Sequence, residues 1–137
     1  MTIVNLFHVS LKCRVSTIIT DEKAMKKFLL IYHATPEAEK ALASASPKQQ
    51  AKAMEGWSKW GQKCGSQLLD MGAPLTGGQS IAKDGTSKKS RKNVGGYSII
   101  EAENMDKAKK LLKGHPHLKS HPECTLEIHE TVILPGM

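Results

Sequence analysis

At 137 residues the chain has room for one domain and too little for two. Apolar residues at 39% against 24% charged exclude a disordered tail, and no apolar run approaches the ~20 residues of a membrane span. Two Trp, two Tyr and two Phe are too few for a base-stacking platform, which leaves the net charge of +7 as the one unusual number.

That charge is local. Lys12, Arg14 and Lys23 against Asp21 and Glu22 leave +1 in residues 1–24, whereas Lys83, Lys88, Lys89, Arg91 and Lys92 against Asp84 leave +4 in residues 83–92. The rest of the chain is nearly neutral. Three widely spaced cysteines, Cys13, Cys64 and Cys124, form no disulfide framework and point to a reducing, cytoplasmic setting.

Residues 1–24 lack the basic start and continuous apolar stretch of a secretory signal. Val15 to Ile19 is a short strand candidate with no partner by pattern. Met25 reads as the natural start, with the upstream 24 residues either an extension from a mis-assigned start or a real extension, and the domain is expected over 25–137. Phe28 to Tyr32 is apolar on both faces, the pattern of a strand covered on both sides. Thr35-Pro36-Glu37 opens a short helix with an N-cap, a first-position proline and a first-turn acid.

Ser46 and Gln49 have the spacing of a capping box, and a helix is predicted from Pro47 to near Asp70. Met54, Trp57, Gly61, Cys64 and Leu68 form its inward stripe, and Gly72 with Pro74 ends it. Gln79 to Lys83 reads as a strand, Asp84-Gly85 as a turn, and Val94 to Glu101 as the next strand, with a bulge at Gly95-Gly96. Asn104 caps a second helix with Met105, Ala108, Leu111 and Leu112 inward, stopped by Gly114 and Pro116. Thr125 to Val132 alternates, with Leu126, Ile128 and Val132 on one face and Glu127 and His129 on the other.

The order βαββαβ predicts an α+β, ferredoxin-like fold with a four-stranded antiparallel sheet and the helices on one face. A first strand that is apolar on both faces then needs cover on the second. Another copy of the chain is the simplest source, which predicts a homodimer.

MKKFLLIYH, Gln67-Leu68-Leu69-Asp70-Met71-Gly72-Ala73-Pro74-Leu75, Asp84-Gly85, Gly95-Gly96-Tyr97-Ser98-Ile99-Ile100-Glu101 and Ala108 with Pro116 together resemble the YCII-related domain family, also called the DGPF domain. The resemblance runs from about Met25 to Thr131 and implies a ferredoxin-like fold paired as a dimeric α/β barrel. The DGPF signature is half present, since Thr86-Ser87 follow Asp84-Gly85. One branch of the family is credited with a dyad of a helix His and an Asp before a Pro. Here the helix position falls at Met54 or Trp57, and His115-Pro116 stands where the Asp-Pro would be, so the dyad does not carry over.

His115, His117, His121 and Cys124 are the densest chemistry in the chain. Two prolines argue against a helix there and the spacing is not that of a structural zinc site, so no metal is assigned and no cofactor is expected. A solvated turn and a small-molecule pocket lined by His115 or His117 remain alternatives. His33 and His129 are predicted to share a sheet face with Glu127, where a carboxylate can tune an imidazole or simply form a polar rim. Asp70, placed at a helix end against the dipole, is either functional or solvated. Cys64 reads as core, and Trp57 and Trp60 as core or pocket wall.

The functional expectation is a pocket for a small polar or aromatic metabolite, with lyase- or isomerase-type acid–base chemistry. His115 and His117 would transfer protons, Asp70 would be their charge partner, and Tyr32 and Trp57 would be walls, with His33 and His129 nearby. The alternative is a non-catalytic ligand-binding or regulatory dimer. Residues 83–92 read as a solvated basic loop, with nucleic-acid association through it a weaker alternative.

Overall fold

A computed structural model describes residues 24–136. The expectations for the upstream extension, the strand at 15–19 and Cys13 lie outside the described residues.

Strand β1 (Lys26–Ala34) runs through the sheet interior. It pairs antiparallel with β5 (Val94–Ala102) on one side and β6 (Cys124–Glu130) on the other. The short β2 (Leu68–Asp70) flanks β5, giving the order β2-β5-β1-β6. Phe28, Leu30, Tyr32 and Ala34 of β1 are buried on one face with Ser98, Ile100 and Ala102 of β5. Leu29, Ile31, Tyr97 and Ile99 alternate onto the opposite face, where they are half-buried. The pairing step from Tyr32↔Gly96 to His33↔Val94 makes Gly95 the bulge that the Gly-Gly pair predicted.

Four helices follow from local signals: α1 (Pro36–Ala43), α2 (Pro47–Cys64), α3 (Met105–Leu111) and α4 (Pro116–Ser120). Thr35 accepts from the Ala38 N–H, and both halves of the Ser46/Gln49 capping box are made. Asn104 accepts from the Lys107 N–H. Trp60 and Cys64 of α2, with Ala108 and Leu112 at α3, close the core over Phe28, Leu30, Tyr32 and Ile100. Among the described residues no helix is long and apolar enough to cross a membrane.

Several sequence expectations are corrected. Helix α2 stops at Cys64 rather than near Asp70, because Gly65 turns to φ 57 and a single 3-10 turn (Gly65–Gln67) redirects the chain. Leu68–Asp70 is then the strand beside β5, the place expected for residues 79–83. Those residues instead start a separate two-stranded ribbon, β3 (Gln79–Ile81) with β4 (Ser87–Lys89). Met54 is 68% exposed, the whole first half of α2 is exposed with it, and the inward stripe begins at Trp57. Strand β6 ends at Glu130, which leaves Val132 outside it and exposed.

The turn after β2 has a strict steric requirement. Gly72 adopts φ 77, its N–H donates to Asp70 Oδ1 at 2.8 Å, and a Cβ there would sit on the Tyr97 carbonyl oxygen. Gly77 has a similar φ of 67 but nothing within 4 Å of its Cβ position. Gly77→Ala is therefore expected to cost only left-handed strain, about 1–2 kcal/mol. Gly72→Ala must also displace backbone and is expected to cost about 3 kcal/mol or more. Urea denaturation of the two variants checks the difference.

Candidate functional site

The end of β1 meets α2 and α4 in a cluster of rings. Tyr32 lies 5.3 Å from Trp57, 5.2 Å from His115 and 5.0 Å from His117, centroid to centroid. His115 is also 4.9 Å from Trp57 and 4.4 Å from Trp60. Trp60 is buried, with Nε1 donating to the Leu111 carbonyl at 2.9 Å, whereas Trp57 is half-buried at the margin.

The hydrogen bonds through this cluster have a fixed direction. His115 is the N-cap of α4, and its Nδ1 accepts from the His117 backbone N–H at 3.0 Å. A backbone N–H only donates, so Nδ1 carries a lone pair and the neutral ring holds its proton on Nε2. That nitrogen faces Tyr32 Oη at 3.2 Å. Tyr32 donates to Ser98 Oγ at 2.7 Å, and Ser98 donates to the Met71 carbonyl at 2.6 Å. The chain therefore runs from a backbone donor in α4 to a backbone acceptor beside β2 without a reversal.

Its members stay neutral. Burial pushes His115 down to about 3, with the neighbouring His117 and Lys63 adding to the effect. Burial pushes the Tyr32 phenol up to about 12, partly opposed by its bond to Ser98 and reinforced by Cys64. His115 is fully buried, so it is not the solvated turn residue that the sequence offered as one alternative. A helix does form at Pro116–Ser120 because proline suits its first position and His115 supplies the missing cap.

His117 differs from His115. Its Nε2 lies 3.0 Å from the His33 carbonyl and 2.9 Å from the Thr125 carbonyl. Both oxygens only accept, so Nε2 bears the proton and Nδ1 bears the lone pair of the neutral ring. The residue is half-buried, and Nδ1 has no hydrogen-bond partner among the described residues.

Asp70 does not join this group. It is exposed in β2 and pairs with Ile99, whose side chain lies on the face opposite Ser98 and Ile100. Its carboxylate accepts from the Gly72 N–H, which makes it a turn residue rather than a charge at a helix end.

His33, Glu127 and His129 share the sheet face away from the helices, as the strand order predicted. Glu127 places Oε2 2.7 Å from His129 Nε2 and Oε1 2.8 Å from His33 Nε2, the latter contact not aligned as a hydrogen bond. The bond from His129 holds the Glu127 carboxyl below its usual range, slight burial opposes this, and His33 adds to it. The other nitrogen of His33 donates to the Lys92 carbonyl at 2.7 Å.

Among the described residues, no three His, Cys, Asp or Glu side chains group as metal ligands. His121 Nδ1 accepts from the Glu123 N–H, and Cys124 Sγ accepts from Ser120, so the dense segment turns its donors to different partners. Cys64 is a core thiol pushed up by burial, against the pull of Lys63.

Sequence reasoning missed Ser98 and the Met71 carbonyl. A serine on the inward face of an otherwise apolar strand is the one signal that could have shown them, because a buried hydroxyl requires partners. The indole of Trp57 packs edge-on against the imidazole of His115.

The YCII-related domain matches residues 25–130, the whole span from the lead-in of β1 to the end of β6. No curated protein matches the chain.

Folded His115 remains neutral down to about 3, whereas an unfolded histidine titrates near 6.5. The unfolded chain therefore binds the extra proton in this window. The stabilising contribution is complete above pH 6.5 and is lost as pH falls toward 3, at about 1.4 kcal/mol per unit. His115→Asn keeps a capping acceptor and removes the titration, so its stability should fall less steeply than the parent's below pH 6.5. Urea unfolding at pH 7, 6 and 5 measures both slopes.

Proposed function

The chain belongs to the YCII-related domain family, and on that premise we propose that it binds a small polar or aromatic metabolite beside Trp57, Tyr32 and His117. His117 Nδ1 would be the proton acceptor of an acid–base, lyase- or isomerase-type reaction. The observation that carries the reading is the direction of the hydrogen bonds. Both nitrogens of His115 are engaged within the protein, and His117 Nε2 is engaged by two carbonyls. His117 Nδ1 is the imidazole nitrogen of the cluster left to receive a proton from a ligand.

In this reading His115 is a positioning residue: it caps α4 and orients His117 through the backbone. Trp57 offers the half-buried aromatic surface against which a flat ligand packs. Asp70 has no part in it, being engaged with Gly72. A non-catalytic binding module is the second reading, and the complete burial of His115 is what favours it.

The proposal includes a homodimer. Leu29, Ile31, Tyr97 and Ile99 form an apolar patch on the face away from the helices, rimmed by His33, Glu127 and His129. A second sheet covers such a face at lower cost than water does. Ile31→Asp is expected to shift the sedimentation coefficient from dimer to monomer, and an unshifted dimer would move the interface elsewhere.

Tryptophan fluorescence against a panel of small carboxylates, phenols and lactones tests the site. A binder should quench the parent and bind at least tenfold more weakly to Trp57→Ala. If the binder is turned over, His117→Ala should lower kcat about 100-fold or more while affinity changes little. Equal turnover by the variant removes His117 as the base.

A further inference from the structure

The expected strand and turn at residues 79–85 continue into part of the basic segment read as a solvated loop to form an ordered β-ribbon. Gln79 pairs with Lys89, Ser80 with Lys88 and Ile81 with Ser87. The Ser90 N–H closes its base on the Gly78 carbonyl at 2.9 Å, and the Ala82 N–H closes its tip on the Thr86 carbonyl at 2.8 Å. All six strand residues are exposed, so neither face of the ribbon is packed on the body. A two-stranded ribbon without such packing is marginal in water.

Among the described residues its cations have no ion-pair partner. Lys83 lies at the tip, Lys88 and Lys89 along one strand, and Arg91 and Lys92 at the base. Asp84, the lone acid, turns Oδ1 into the turn to accept from Thr86 Oγ1 at 2.7 Å and the Thr86 N–H at 3.0 Å. Consecutive strand residues point to opposite faces, so Lys88 and Lys89 place a cation on each side of the ribbon.

We propose that this ribbon enters the major groove of B-form DNA and binds its two phosphate walls. Cations on both faces match a groove with phosphates on either side, whereas a flat anionic membrane would meet one face only. The major groove of B-DNA admits a two-stranded ribbon, while that of A-form RNA is too narrow. The ribbon carries no aromatic side chain, so single strands gain no stacking on it. Binding is sequence-independent and driven by counterion release.

Anisotropy of a labelled 20-base-pair DNA duplex between 50 and 200 mM salt tests this. With Lys83, Lys88, Lys89, Arg91 and Lys92 each neutralising one phosphate, log affinity should fall with log salt at a slope of about −4.5. Changing Lys88, Lys89, Arg91 and Lys92 to Gln should bring the slope to about −1 and weaken binding at least tenfold at 100 mM salt. Circular dichroism checks that the variant folds, and the parent's slope decides the matter if it does not. Absent DNA binding at 100 mM salt overturns the proposal, as does a slope unchanged in the variant. Equal affinity for an RNA duplex overturns it too, as does binding only to phosphatidylserine vesicles.

Discussion

The buried hydroxyl and imidazole groups between α4 and β2 must all be hydrogen-bonded, and much of the molecule is arranged around that requirement. An unsatisfied buried polar group costs about 1–3 kcal/mol, a large part of a small domain's stability. The chain from the His117 N–H through His115, Tyr32 and Ser98 to the Met71 carbonyl meets the requirement with one bond at each step. It crosses α4, β1, β5 and the turn after β2, so it ties elements distant in sequence into one unit. The turn must present the Met71 carbonyl to Ser98, and the next residue, Gly72, lies too close to the Tyr97 carbonyl for a side chain.

This arrangement divides the two histidines of the site by role. His115 is enclosed by Tyr32, Trp57 and Trp60 and is held neutral by burial. His117 lies two residues on, with one nitrogen committed to the backbone and the other not. His33 extends the network through the sheet. Its carbonyl accepts from His117 on the helix side, while its ring contacts the Lys92 carbonyl and Glu127 on the open side. A single β1 residue thus links the proposed ligand site to the face where a second copy would pack.

The fold was legible wherever its cause was local. The caps at Thr35, Ser46 and Asn104 are short-range hydrogen bonds between neighbouring residues, and all formed as their spacing predicted. Strands β1, β5 and β6 are long enough for alternation to be read, and their adjacency brings His33, Glu127 and His129 together. Strand β2 was not legible: three residues carry too little periodicity, and the apolar spacing of α2 continues smoothly into Leu68. The ribbon was half legible, since its first strand and turn were expected but not its separation from the main sheet. At the site, the ring-bearing residues were picked out, whereas Ser98 and the burial of His115 were not. A histidine is an uncommon N-cap, and nothing near it in the chain shows what will pack over it.

By itself, then, the sequence determined the family, the α+β element order, the helix caps and the local origin of the net charge, because each depends on composition or on residues a few positions apart. Only the tertiary structure decided that residues 68–70 join the sheet and that the basic segment stands free as a ribbon. It also decided that His115 is an enclosed cap while His117 keeps an available nitrogen. Those outcomes depend on pairings and burial between residues dozens of positions apart, where the free energy of satisfying buried polar groups outweighs local preference.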